Sequence, residues 1–132
     1  MVMIYLDSSA VIYATESDEA LGNDIRQRMA NMPEAEFAIS PLVVMECLVK
    51  PLRDDNFVLK SYYEEVLGRL HLLDFGLPQF ISAAEIRART NVATPDSIHV
   101  ATALSHGCSQ FWTGDDRLAR TFPDFAVNVL AA

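Results

Sequence analysis

The sequence predicts a three-layer α/β/α fold around a central, mainly parallel sheet of about five strands. Short apolar runs that are typical of buried strands alternate with helical patterns along the whole chain, and such alternation joins parallel strands through right-handed crossovers. No repeat, low-complexity segment or linker interrupts it, and 132 residues is the size of one ordinary domain. We therefore expect a single domain that covers residues 1–132.

The first predicted strand is a continuous apolar run, which is typical of a strand buried on both faces of a parallel sheet. A later helix starts at Pro41, which suits a first helical position, and is expected to stop at Pro51. In chain order, the elements predicted for this half are a strand at 2–6, helices at 8–15 and 18–32, a strand at 37–40 and a helix at 41–50.

The second half continues the alternation, and its first helix has one apolar face that we expect to pack inward. That face consists of Val58, Tyr62, Val66 and Leu70. The same helix has more apolar side chains than one face needs, which indicates a partner groove, a dimer seam or internal packing for Phe57, Val58, Tyr62 and Tyr63. The predicted elements are a helix at 55–70, a strand at 71–75, helices at 78–91 and 94–107, a strand at 110–113, a helix at 116–121 and a strand at 126–130.

The charge and composition argue against several classes of protein. The chain has 18 acidic and 10 basic residues, and a net charge of −8 has the wrong sign for holding nucleic acid by bulk electrostatics. A nucleic-acid partner would need local help from a divalent cation or a basic partner chain. No stretch is apolar enough for a bilayer span or a signal peptide, so we expect a cytoplasmic protein without a membrane partner. The isolated Cys47 and Cys108 are expected to be free thiols.

Four carboxylates stand at positions that can converge on one site. In open parallel sheets, sites lie just beyond the carboxyl ends of the strands. Asp7 directly follows the first predicted strand, and Asp115 follows the fourth after two residues. Glu46 is a lone carboxylate within an apolar helical segment, and Asp96 lies in the first turn of another helix.

Each of these acids also has a purely structural interpretation. Asp7 and Asp115 could be ordinary turn or N-cap residues. Asp96 could stabilise its helix through the helix dipole, an effect of about 0.3–1 kcal/mol. A glutamate in the middle of a helix is usually solvated, although no polar stripe accompanies Glu46 before Lys50.

If the four carboxylates share one site, they repel one another unless a cation lies between them. Oxygen ligands without His or Cys favour Mg²⁺ or Mn²⁺ over zinc. Such a cation can orient and activate a water for attack on a phosphodiester. The candidate metal ligands and catalytic residues are therefore Asp7, Glu46, Asp96 and Asp115.

Four short motifs in this order resemble the PIN domain and, within that family, the VapC-like toxins of bacterial and archaeal toxin–antitoxin pairs. They are Asp7-Ser8-Ser9-Ala10 after the first strand, Glu46 in the third helix, the segment 95–103 that begins Pro95-Asp96, and Thr113-Gly114-Asp115-Asp116-Arg117. The resemblance covers nearly the whole chain and implies a single PIN-like nuclease domain. It also implies Ser9 and Thr113 as polar supports, and it favours Asp115 over Asp116, which would then be an auxiliary acid or a helix cap.

The resemblance implies an Mg²⁺- or Mn²⁺-dependent endoribonuclease that acts as a toxin. Its partners would be an RNA substrate, a cognate antitoxin and a second copy of itself. One alternative is a PIN-like scaffold that binds RNA or protein without cleavage. The other is a phosphoacceptor receiver domain, which the sequence disfavours because Asp74 lies in an apolar run and no lysine follows Lys60.

Three further residues have two interpretations each. Arg117 and Arg120 could hold RNA phosphates or could be solvated surface arginines. His99 lies three residues after Asp96, so that a role as general base or in substrate binding competes with a role as a satisfied, partly buried packing residue.

Overall fold

The computed structural model describes residues 2–130, which form seven helices and five strands. None of these helices is long and apolar enough to cross a membrane. The elements in order are β1 (Met3–Leu6), α1 (Ser8–Glu16), α2 (Ala20–Ala30), β2 (Glu36–Ile39), α3 (Pro41–Arg53), α4 (Phe57–Gly68), β3 (His71–Leu72), α5 (Leu77–Arg89), α6 (Thr94–Ser105), β4 (Gln110–Thr113), α7 (Asp116–Thr121) and β5 (Ala126–Asn128).

The five strands form one parallel sheet in the order β3-β2-β1-β4-β5. The chain builds outward from β1 to β3, and then crosses back to β4 on the other side of β1. Right-handed crossovers in these two opposite directions place helices on both faces of the sheet. The predicted three-layer α/β fold is therefore confirmed. The strand order reverses between β1 and β4, so a site is expected beyond the carboxyl ends of these two strands.

The central strands supply most of the core, because they are covered on both faces. Tyr5 in β1 stacks on Phe111 in β4 with ring centroids 5.2 Å apart. Trp112 in β4 is buried in the core, and its ring packs against Phe37 of β2 with centroids 5.4 Å apart. The continuous apolar run at the start of the chain is a buried strand, as predicted.

The prediction that Pro51 ends the third helix is wrong, because α3 continues to Arg53. A proline lacks the N–H that bonds to the carbonyl four residues earlier, but in the last turn this loss affects a single bond. The turn is completed by the Asp54 amide, which donates to Lys50 at 3.0 Å, and by the Asn56 amide, which donates to Pro51 at 2.8 Å. The Pro51 ring is buried, and its packing offsets the lost bond.

The third strand is shorter than predicted, with two residues in place of the five at 71–75. It lies at the edge of the sheet and pairs only with β2, which ends at Ile39. The Leu73 amide still donates to the Ile39 carbonyl at 2.8 Å. Beyond Ser40, Pro41 starts α3 and has no N–H to continue the ladder, so the pairing stops there.

The predicted inward face of α4 is also wrong. Val58 and Tyr62 are 84% and 50% exposed, while Tyr63 and Leu67 are the buried residues of the helix. In this orientation Tyr63 and Leu67 pack in the core, and the Tyr63 hydroxyl donates to the Glu16 carboxylate on α1. Of the four apolar residues that exceeded the needs of one face, only Tyr63 packs internally. The other three form an exposed apolar surface: Phe57, Val58 and Tyr62.

The two cysteines are free and buried, as the absence of paired spacing predicted. Burial is the main cause that raises the pKa of Cys47 to about 12 and the pKa of Cys108 to about 11. Raised pKa values of this kind favour neutral thiols at physiological pH.

Candidate functional site

Asp7 lies directly after β1 and is the N-cap of α1. Its Oδ1 accepts hydrogen bonds from the Ser9 hydroxyl at 2.5 Å and from the Ala10 amide at 3.1 Å. The residue is buried, and burial raises the pKa of its carboxyl above the usual value of 3.8. Hydrogen bonds from Ser9, Thr113 and the Ala10 amide lower that pKa in part, because they favour the charged form.

The two predicted polar supports join the ends of β1 and β4. Ser9 donates to Asp7 and accepts from the Gly114 amide at 2.8 Å, while the Thr113 hydroxyl accepts from the Asp115 amide at 3.0 Å. The approach at Gly114 is close, since a Cβ there would lie 3.1 Å from the Ser9 hydroxyl and 2.4 Å from a methyl of Leu130. These contacts hold the loops that carry the first and fourth acids against each other.

Asp115 is the N-cap of α7, and its Oδ1 accepts from the Arg117 amide at 2.8 Å and the Leu118 amide at 3.3 Å. The structural interpretation of Asp115 is therefore correct, but the cap occupies one oxygen and leaves Oδ2 available. A capping role and a ligand role are thus compatible, for Asp115 as for Asp7. The adjacent Asp116 instead forms an exposed ion pair with Arg120 at 3.0 Å.

Asp96 is partly buried in the first turn of α6, and the pKa of its carboxyl depends on the other acids. Burial is the main cause that raises the pKa of its carboxyl, and His99 lowers it. The charges of three further acids raise this pKa as well: Asp7, Asp115 and Glu46. The other three predicted acids therefore lie within electrostatic reach of Asp96.

Asp96 and Asp115 line one cleft of about 320 Å³. Arg117 also lines this cleft, and within residues 2–130 its guanidinium forms no ion pair. Arg120 is held on α7 by Asp116 and does not line the cleft. Of the two predicted phosphate-binding arginines, the structure thus brings only Arg117 to the acids.

Glu46 lies on α3 and lines a neighbouring groove of about 230 Å³ between α1 and α3. Its side chain is 28% exposed, and its Oε1 lies 2.6 Å from His99 Nε2. Glu46 was unusual in the sequence because it is a lone carboxylate within an apolar helix. The contact with His99 gives one of its two carboxylate oxygens a polar partner.

The sequence did not predict how Glu46 is supported. Two roles had been considered for His99, and no role in the site had been assigned to Tyr5. His99 is buried and satisfied, as the packing interpretation predicted, but its partners are Glu46 and the hydroxyl of Tyr5. Tyr5 appeared as one more apolar residue of the first strand. The available signal was chemical, since a tyrosine in a fully buried strand needs a hydrogen-bond partner for its hydroxyl.

The donor set suits a hard cation, although it is not a closed cage. Within residues 2–130, no group of three or more His, Cys, Asp or Glu side chains is arranged so that it could hold a metal ion by itself. Mg²⁺ is usually held by one or two carboxylates, several waters and the phosphates of a substrate. Asp96 and Asp115, which share a cleft and carry oxygen donors only, fit that mode of binding.

Solved structures share the fold over nearly the whole chain. A chain of VapBC2 from Rickettsia felis, bound to a DNA fragment from its promoter, has a TM-score of 0.81 and 15% identity, covering 96% of this chain and 98% of that one. A toxin–antitoxin complex from Klebsiella pneumoniae gives 0.79 and 17%, with 96% and 97% covered. VapC20 from Mycobacterium tuberculosis, a sarcin–ricin-loop-cleaving toxin, gives 0.72 and 15%, with 89% and 94% covered.

No curated protein matches the chain in sequence. The family model of the PIN domain matches residues 4–122, which include all of the predicted acids and the elements that carry them. This match excludes the receiver-domain alternative. The chain belongs to the PIN domain family.

Proposed function

We propose that the chain is an Mg²⁺- or Mn²⁺-dependent endoribonuclease that acts as the toxin of a toxin–antitoxin pair. The observation that carries this proposal is the cleft that Asp96 and Asp115 line together with Arg117. Carboxylates suit a divalent cation and an arginine suits phosphate, so the cleft combines the two charges that phosphodiester hydrolysis requires.

The remaining two acids do not line this cleft, but hydrogen bonds within the protein hold both of them in place. Asp7 is fixed through Oδ1 by Ser9 and the Ala10 amide, and Glu46 is fixed through Oε1 by His99. The Thr113 hydroxyl is a further hydrogen-bond partner of the Asp7 carboxylate, whereas Oε2 of Glu46 accepts no hydrogen bond from within residues 2–130. When bound, a divalent cation would polarise a phosphoryl oxygen and lower the pKa of the attacking water.

The proposed partners are supported by the structural neighbours. VapC20 is described as cleaving the sarcin–ricin loop, which supports RNA as the substrate class. Several neighbours are toxin–antitoxin complexes, which supports an antitoxin partner, and we also propose that the chain acts in the cytoplasm. The exposed apolar side chains on α4 suit a surface that another chain covers. We also propose a homodimer, which sedimentation at several concentrations would test.

The direct test is cleavage of total RNA, which contains ribosomal and transfer RNA, by antitoxin-free protein with Mg²⁺, Mn²⁺ or EDTA. Asp115→Asn and Asp116→Asn form a matched pair, since Asn retains the capping oxygen at 115 and only Asp115 lines the cleft. We expect metal-dependent cuts that Asp115→Asn loses and Asp116→Asn keeps. If the protein binds RNA but no metal alters the RNA, the non-cleaving scaffold is correct.

Replacing Arg117 by Gln is expected to weaken RNA binding by about tenfold, because one contact to a phosphate is lost. KM should rise, kcat should change little, and the salt dependence of binding should become less steep by about one unit. Arg120→Gln is the control, since Arg120 pairs with Asp116 outside the cleft. Equal effects of the two substitutions would show that Arg117 acts only through net charge.

A further inference from the structure

A row of buried hydrogen bonds leads from the core to Glu46. Ser40 Oγ lies 2.8 Å from Tyr5 Oη, and Tyr5 Oη lies 2.7 Å from His99 Nδ1. His99 Nε2 lies 2.6 Å from Glu46 Oε1. The first three residues are at most 2% exposed, whereas the Glu46 side chain is 28% exposed. The row thus begins in the closed core and ends at the one member that solvent reaches.

The chemistry of the Glu46 contact fixes its donor. A carboxylate oxygen only accepts, so His99 donates to Glu46 from Nε2. The Tyr5 hydroxyl forms one hydrogen bond with His99 Nδ1 and one with the Ser40 hydroxyl. Every polar side-chain atom inside the row then has a partner, as buried polar groups require. Four elements are tied together in this way, since the row runs from the end of β2 through β1 and α6 to α3.

We propose that His99 is a positioning residue that fixes the Glu46 carboxylate for a divalent cation, an inference that rests on the proposed function. Because one lone pair of Oε1 already accepts from His99, we expect Oε2 to be the oxygen that binds the cation, so that Glu46 acts as a monodentate ligand. Asp7 and Asp115 are held in the same manner, each through Oδ1. Single oxygens suit the octahedral geometry that Mg²⁺ demands, whereas Ca²⁺ also accepts bidentate carboxylates.

The variants that test this role change His99 in two ways. His99→Leu removes the donor at similar volume, whereas His99→Gln can return an amide N–H close to the position of Nε2. His106→Leu is the control, because His106 is the exposed C-cap of α6, seven residues after His99, and its Nε2 contacts the Asp74 carbonyl instead of an acid of the site. Circular dichroism and urea unfolding report whether each variant is folded.

The first readout is the Kd for Mn²⁺ alone, measured by electron paramagnetic resonance on protein without RNA. We expect His99→Leu to weaken Mn²⁺ binding by about tenfold or more, as is typical when the partner of a metal ligand is lost. His99→Gln should restore most of the affinity, and His106→Leu should leave it unchanged. A folded His99→Leu variant that binds Mn²⁺ as tightly as the wild-type chain would overturn the positioning role.

The second readout observes the His99 ring directly. Nitrogen-15 spectra of the histidine rings should show that Nε2 of His99 carries a proton that exchanges slowly, and Glu46→Gln should shift its resonance. A wild-type ring protonated at Nδ1 alone would overturn the proposal, since Nε2 could not donate to Glu46. Failure of the wild-type chain to bind Mn²⁺ would overturn the proposed function and this role together. If the wild-type chain binds Mn²⁺ but His99→Leu and His99→Gln have the same Kd for Mn²⁺, only the role of His99 is overturned.

Discussion

Asp7→Asn is expected to reduce metal-dependent RNA cleavage by about a thousandfold or more, the scale seen when a single catalytic carboxylate is removed. The substitution should nevertheless leave the fold intact. The Asn Oδ1 can accept from Ser9 and from the Ala10 amide as Asp7 does, so the cap of α1 is retained. A variant that lost activity because it unfolded would show a structural role instead, and circular dichroism separates the two cases.

The same substitution should stabilise the protein in the absence of divalent cations, because burial penalises the charged form of Asp7. The folded-state pKa of Asp7 is raised, so the folded protein binds a proton more tightly than the unfolded chain does. The wild-type chain therefore loses stability relative to Asp7→Asn as the pH rises from below 3.8, the usual Asp value, through the raised pKa. Urea unfolding at several pH values should show an advantage of Asp7→Asn at neutral pH that disappears in acid. An advantage that is independent of pH would contradict this explanation.

The fold was predictable because its strongest signals are local. The buried strand at the start of the chain, the proline that begins α3 and the alternation of strands with helices each follow from neighbouring residues, and the sheet order follows from crossover rules. The orientation of α4 was not predictable in this way. It places Tyr63 against Glu16, a residue 47 positions earlier, and the even spacing of Val58 and Tyr62 gives no sign of that contact.

In the candidate site, too, the features that follow from local sequence were predictable and those that depend on distant contacts were not. Asp7 and Asp115 follow from their places after strands, since the carboxyl ends of parallel strands meet at one edge of a sheet. The support of Glu46 could not be predicted, because Tyr5 and His99 are 94 positions apart and His99 and Glu46 are 53 apart. The sequence identifies which side chains carry charge, whereas the hydrogen bonds that commit one oxygen of a carboxylate depend on tertiary packing.

Mg²⁺ should raise the thermal stability of the wild-type chain, because a cation that binds only the folded state stabilises it by mass action. At a concentration about a hundredfold above Kd the gain is about 2.7 kcal/mol, which for a domain of this size is a rise in Tm of roughly 8 °C. The physical source is the repulsion that the charges of Asp7, Asp115 and Glu46 exert on Asp96, which raises its pKa and which a bound cation relieves.

Generic screening must be separated from binding, since dissolved salt also weakens repulsion between exposed charges. NaCl at the same ionic strength as the MgCl₂ is the matched control, and we expect it to give only a small part of the shift. Asp96→Asn should reduce the response to Mg²⁺ and leave the response to NaCl, because it removes an oxygen ligand from the cleft that Asp96 shares with Asp115. If MgCl₂ and NaCl raise Tm equally, the acids form a repulsive cluster without a cation site, and the non-cleaving scaffold becomes the better account of the chain.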